Sequence, residues 1–234
     1  MSKNTGILFL HGYTGGRHEL DPLFVYLKSR YEFDYEFPVY PGHGTLLDLK
    51  SSGGDDWYNE AEDAYHALKS RVETIYIIGF SMGGVFASHL SQQGEVAKLL
   101  LIAPAFDHTK LSQLSRLKLT PRHFSEHMKL NMYSRIRKRI RDIPLAAFQE
   151  FKNIVEMKRG GLENISSETL IVHGTIDLLV PYQSSIDAAE KIPGGQLKLI
   201  EGAPHLFAYT EESQLELNII AERFLFDDEK VFLV

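Results

Sequence analysis

A chain of 234 residues, 44% hydrophobic and 24% charged, has the length and composition of one α/β domain with a sizeable core, which excludes a disordered, fibrous or solenoid protein. The absence of cysteine removes a disulfide framework, a thiolate zinc site and a cysteine nucleophile, and a net charge of −6 disfavours a general nucleic-acid binder. No apolar run approaches the ~18–20 residues that span a bilayer, and none of signal length precedes the first strand candidate, so a soluble cytoplasmic protein is expected.

The first predicted strand, Gly6 to Leu10, ends in His11-Gly12-Tyr13-Thr14-Gly15-Gly16, a loop whose glycines let backbone approach a ligand. The loop lacks the lysine of a P-loop and the spacing of a dinucleotide fingerprint. A helix over Leu20 to Ser29 follows, then a shorter strand from Tyr35 to Val39, the turn Pro41-Gly42-His43-Gly44 and a helix over Trp57 to Arg71. The strand Thr74 to Ile78 leads into Gly79-Phe80-Ser81-Met82-Gly83 and a helix over Met82 to Gln92. Strands over Ala97 to Ile102, Thr169 to Val172 and Leu197 to Ile200 complete six, with helices over Tyr182 to Lys191 and Glu211 to Phe226. Continuous apolar runs of this length suit strands buried on both faces, and their alternation with helices predicts a doubly wound, mainly parallel sheet of class α/β.

Between the fourth and fifth strands, residues 104–165 interrupt this rhythm for far longer than a crossover requires, which predicts a small helical cap inserted into a core of residues 1–103 and 166–234. From His108 to Gly160 thirteen basic residues face four acidic ones, whereas the remainder holds twelve basic and twenty-seven acidic. Met128, Met132, Ile136 and Ile140 recur every fourth position beside Arg135, Arg137, Lys138, Arg139 and Arg141, with Pro144 as a stop. The plain reading of this amphipathic helix is a lid packing its apolar stripe on the body. Two functional readings stand beside it, attraction of anionic substrates and weak contact with an anionic surface.

Gly-x-Ser-x-Gly between a strand and a helix matches the turn that presents a nucleophilic serine, with small residues where strand and helix pass closely. A serine hydroxyl needs a histidine to take its proton and a carboxylate to hold that histidine in the right tautomer. Asp177, in Val172-His173-Gly174-Thr175-Ile176-Asp177, follows the fifth strand, and His205, in Gly202-Ala203-Pro204-His205, follows the sixth. A turn histidine and a turn aspartate are each commonplace alone, but the order Ser81, Asp177, His205, each just after a strand, is the order this chemistry takes in such a sheet. Charge developing on a carbonyl oxygen needs aligned donors, for which the backbone amides of Tyr13 and Met82 are the candidates.

The other histidines read as structural. His11 and His43 shape loops, and His66, His89, His108 and His173 give no catalytic signal. His123 and His127 stand four apart, but Glu126 is misplaced for the metalloprotease pattern, so no metal is expected.

These residues together resemble an α/β-hydrolase of the small bacterial carboxylesterase and monoacylglycerol lipase group. The resemblance covers nearly the whole chain and rests on residues 10–15, Pro41 to Gly44, Asp56-Trp57, residues 79–84, the Gly174 to Asp177 segment and Pro204-His205. It implies Ser81 as nucleophile, His205 as base, Asp177 as orienting acid, the amides of Tyr13 and Met82 as oxyanion hole, and a cap lining the acyl or alcohol pocket. Serine as nucleophile separates the chain from the dehalogenases and epoxide hydrolases of the fold, which by resemblance use aspartate. The expected activity is cofactor-free hydrolysis of small to medium acyl esters. Acyl thioesters are the alternative, because acyl-coenzyme A would suit a basic cap, and a ligand receptor with slow or vestigial hydrolysis is a third reading. Oligomeric state is not set by these residues.

Overall fold

In strand β1 (Thr5–Leu10) all six residues are buried, because helices cover both faces of the sheet. Leu8 and Leu10 join one core while Ile7 and Phe9 join the other, the alternation that a pleated strand imposes. These features come from a computed structural model that describes residues 4–44, 47–107 and 143–227.

The remaining strands are β2 (Asp34–Glu36), β3 (Thr74–Phe80), β4 (Lys98–Ile102), β5 (Glu168–Gly174) and β6 (Gln196–Ile200). They form one parallel sheet in the order β2-β1-β3-β4-β5-β6, as the sequence predicts for class α/β. The chain runs outward from β1 to β2 and then crosses back to β3 on the other side of β1. The ends of β1 and β3 therefore flank a topological switch point, where sheets of this kind bind ligands.

Six α-helices are described: α1 (Asp21–Lys28), α2 (Gly54–Lys69), α3 (Met82–Gln93), α4 (Leu145–Lys158), α5 (Gln183–Lys191) and α6 (Glu211–Phe226). Trp57 and Leu68 of α2, Val85 and Phe86 of α3, and Phe151 and Val155 of α4 fill the core on one face. Leu23 and Leu27 of α1 with Leu217, Ala221 and Phe224 of α6 fill the other. The two outer helices are also joined through Glu222, which accepts the Tyr26 and Tyr31 hydroxyls at 2.6 and 3.0 Å.

Two expectations change. β2 is shorter and earlier than Tyr35 to Val39, since it pairs with β1 through Asp34, Tyr35 and Glu36 only. Phe37 precedes Pro38, which has no N–H for a ladder and restricts its neighbour, so pairing stops there. Arg71 bridges Asp34 at 3.0 Å and Glu36 at 2.8 Å, which explains two acids in so short a strand and holds the Asp34 carboxyl below the usual range. Pro144, expected to stop a preceding helix that lies outside the described residues, is the N-cap residue of α4. The basic helix built on Met128 to Ile140 lies outside the described residues, as do His108, His123 and His127. Of the segment 104–165, the described part includes α4, which packs on α2 and α3. Among the described residues no helix is long and apolar enough to cross a membrane.

Candidate active site

Ser81 sits between β3 and α3 with φ 54° and ψ −116°, a region that costs a non-glycine residue about 1–3 kcal/mol. Backbone bonds hold it there: its amide donates to Ile102 at 2.9 Å, and its carbonyl accepts from Gly84 and Ala105, each at 3.0 Å. The glycines serve different neighbours. A Cβ on Gly79 would lie 2.7 Å from both Ala87 Cβ and Gly84 Cα, so this glycine lets strand and helix meet. A Cβ on Gly83 would instead strike the carbonyl oxygens of Leu10 and His11, so that glycine lets the turn press against the end of β1. A Cβ on Gly84 would lie 2.9 Å from Pro104 Cβ.

The three residues expected to act together are brought together. His205 Nε2 lies 3.1 Å from Ser81 Oγ, and His205 Nδ1 lies 2.5 Å from Asp177 Oδ2. The serine and the acid are buried, whereas the His205 side chain keeps 11% exposure. Asp177 Oδ1 accepts the amides of Leu179 and Val180 at 2.7 and 2.9 Å, which pins the carboxylate to its own turn. Burial alone would raise the Asp177 carboxyl, but the imidazoles of His205 and His173, by charge and by hydrogen bond, more than offset it and hold it well below the usual carboxylate range. Ionised Asp177 accepts from Nδ1–H of His205, which leaves the Nε2 lone pair facing the serine hydroxyl.

The loop after β1 is tied down from several sides. Glu19 Oε2 accepts the Gly12 amide at 2.8 Å, Gly15 donates to Gly12 at 3.2 Å, and Thr14 takes φ 61°. The Tyr13 ring stacks on Phe151 of α4 with centroids 4.5 Å apart, a pairing worth about 0.5–1.5 kcal/mol beyond the area buried. Burial raises the Tyr13 hydroxyl well above the ordinary phenol range. Met82 is the first residue of α3, so its N–H is one of those that no helical carbonyl can satisfy.

The Pro41 to Gly44 turn and Asp56-Trp57 support this loop. Trp57 Nε1 donates to Ser52 Oγ at 3.1 Å, Ser52 donates to Pro41 at 2.8 Å, and Gly44 donates to Gly15 at 3.1 Å. His43 packs edge-on to Trp57. His11 is buried with both nitrogens engaged, Nδ1 near the Gly12 carbonyl and Nε2 accepting the Tyr40 amide, so it braces the loop.

Sequence reasoning missed two residues. His173, read as silent, is fully buried with Nε2 3.0 Å from Asp177 Oδ2. Glu19, which drew no notice, anchors the loop that carries Tyr13. The only signal for the first was its place four residues before the acid, at the end of an apolar strand where a core residue is the default reading.

Comparison with known proteins agrees with this architecture. Residues 7–216 match the model of a family described as the Alpha/beta hydrolase family. A thermostable monoacylglycerol lipase of Bacillus sp. (strain H-257) is 37% identical over 89 residues, covering 37% of this chain and 35% of that protein, so this match spans about a third of it. A carboxylesterase of Bacillus subtilis (strain 168) is 25% identical over 216 residues, covering 89% of this chain and 87% of that protein. Among solved structures, one from a pair of metagenome-derived lipolytic enzymes, LipS and LipT, has a TM-score of 0.71 at 20% identity, covering 94% of this chain and 93% of its own.

Proposed function

Starting from the chain's membership of the Alpha/beta hydrolase family, and from its character as a serine hydrolase of the carboxylesterase and lipase kind, we propose that it cleaves small to medium acyl esters through an acyl-enzyme on Ser81. The observation that carries this reading is the continuous path from Ser81 Oγ through His205 to Asp177, with the serine on a strained turn that sets its hydroxyl against His205.

His205 Nε2 takes the hydroxyl proton as Ser81 Oγ bonds to the ester carbonyl carbon. The carbonyl electron pair moves to oxygen, where the amides of Tyr13 and Met82 receive the charge. Because Glu19 already occupies the Gly12 amide, the Tyr13 amide is the next donor along the loop. Collapse of the tetrahedral adduct breaks the bond to the alcohol, which leaves with the proton from His205. Water then repeats the sequence on the acyl-serine: His205 takes its proton, the acid departs, and Ser81 recovers its hydrogen. Asp177 stays ionised throughout and stabilises the imidazolium that each half-reaction forms.

The segment 104–165 is proposed as the cap that lines the acyl pocket, its described helix α4 reaching the oxyanion loop through the Phe151 and Tyr13 stack. The names of the curated relatives bring monoacylglycerols and simple carboxylic esters forward as substrates. The test is hydrolysis of p-nitrophenyl esters from acetate to laurate and of a monoacylglycerol by wild type and Ser81→Ala, with an acyl-coenzyme A series in parallel. Serine-dependent ester turnover is expected, and its chain-length optimum sizes the pocket. Turnover confined to thioesters, or none at all, would overturn the ester assignment.

A further inference from the structure

His173 has no part in the mechanism above, yet both of its ring nitrogens are engaged in a fully buried setting at the end of β5. Nε2 lies 3.0 Å from Asp177 Oδ2 and 3.3 Å from the Val180 carbonyl oxygen, while Nδ1 lies 2.6 Å from Ser185 Oγ in α5. An ionised carboxylate and a carbonyl can only accept, so Nε2 carries the proton. In the neutral ring Nδ1 then accepts from the Ser185 hydroxyl, and in the protonated ring it donates to the Ser185 oxygen; Nε2–H faces Asp177 in both. Asp177 Oδ2 therefore receives one N–H from each of two imidazoles, while Oδ1 receives two backbone amides.

We propose that His173, oriented by Ser185, is a positioning residue for the acid: it holds Asp177 Oδ2 where His205 needs it and draws off part of that oxygen's charge. The chain Ser185, His173, Asp177, His205, Ser81 then runs unbroken from α5 to the nucleophile. This inference rests on the acyl-transfer reading. A histidine serving only as core would need neither nitrogen aimed at the acid, and an apolar ring of similar size would replace it at little cost. Because one carboxylate oxygen serves both rings, a donor lost on the His173 side returns negative charge to the side facing His205. Among the described residues His205 also meets the Ser81 hydroxyl and the apolar ring of Phe80, and the returned charge lies directly against its Nδ1.

The test uses His173→Phe, His173→Gln and Ser185→Ala in the full chain, each followed by melting temperature, by kcat and KM on a p-nitrophenyl ester, and by kcat/KM from pH 5 to 9. In His173→Phe, kcat is expected to drop about 10- to 100-fold with KM within about twofold, the size of effect that a displaced catalytic group produces. The acid limb of its kcat/KM profile moves to higher pH, because the less encumbered carboxylate favours protonated His205 more strongly. His173→Gln, whose side-chain amide can donate toward Asp177, recovers most of the rate and returns the limb toward wild type. Ser185→Ala falls between.

Wild-type kcat and pH profile in folded His173→Phe would overturn the proposal, as would equal losses in the Phe and Gln variants without movement of the limb. If His173→Phe does not fold, an unchanged rate and limb in Ser185→Ala overturns it. Wild type without Ser81-dependent turnover would instead sink the acyl-transfer reading, and this proposal with it, so the two failures are told apart by the wild-type control.

Discussion

The proposed nucleophile and its two partners are fixed by different forces. Ser81 is placed by backbone alone: an unfavourable φ, three main-chain hydrogen bonds and three glycines whose missing side chains let β1, β3 and α3 converge. Asp177 and His205 follow β5 and β6 on ordinary turns, and what fixes the acid is a cluster of donors around one carboxylate. Steric placement is all or none and leaves a pattern in the residue types, whereas placement by hydrogen bonds is graded and depends on side chains that many sequences could supply.

The sharpest break of the hydrogen-bonded half is Asp177→Asn. It keeps the shape but puts an amide against Nδ1–H of His205 and disturbs the tautomer, so kcat should fall about 10⁴-fold. The same variant separates stability from catalysis. Because the folded state holds the Asp177 carboxyl below its ordinary value, the resulting stabilisation is fully present above the unfolded value of ~3.9 and is lost as pH falls through it toward the folded value. Urea unfolding from pH 6 to pH 3 should thus show a shallower decline for Asp177→Asn than for wild type. An equal slope would mean that the acid gains nothing from its two histidines.

The steric half breaks at Gly83→Ala. The added methyl meets the Leu10 and His11 carbonyls, which belong to backbone and cannot rotate away, so an overpacking loss of about 1–3 kcal/mol is expected. Displacement of the turn should lower kcat about 100-fold even where the protein folds, and an unchanged melting temperature with full activity would show that the turn has slack. The smallest effect belongs to Glu19→Gln, which keeps an acceptor for the Gly12 amide but removes its charge. A loss of about 1 kcal/mol, seen as a roughly fivefold drop in kcat with little change in melting temperature, is expected. A gain in activity would mean that the carboxylate opposes the developing oxyanion more than it orders the loop.

The same contrast explains what the sequence made legible. Strands β1, β3, β4 and β5 stand out because helices cover both faces, leaving continuous apolar runs such as Ile7 to Leu10. The boundary that moved is that of β2, an edge strand paired on one side only, where Pro38 ends the ladder and Arg71 selects acids that no apolar pattern reveals. Ser81 was legible through its glycines. Asp177 and His205 were legible through chain order and strand ends, which topology sets. His173 was not, because a histidine closing a buried strand looks like core until the turn through Ile176 brings Asp177 back against it. Glu19 was hidden for a similar reason, since a carboxylate at a helix start is most simply read as a solvated charge.

In the proposed mechanism one serine, made nucleophilic by its histidine, carries the acyl group. Its most direct test is peptide mapping by mass spectrometry after exposure to an alkyl fluorophosphonate, with wild type, Ser81→Ala and His205→Ala compared over time. The expected result is a single rapid adduct on Ser81 in wild type, none in Ser81→Ala, and slowing of at least about 100-fold in His205→Ala. Adducts elsewhere, or labelling of Ser81 at the same rate without His205, would contradict it.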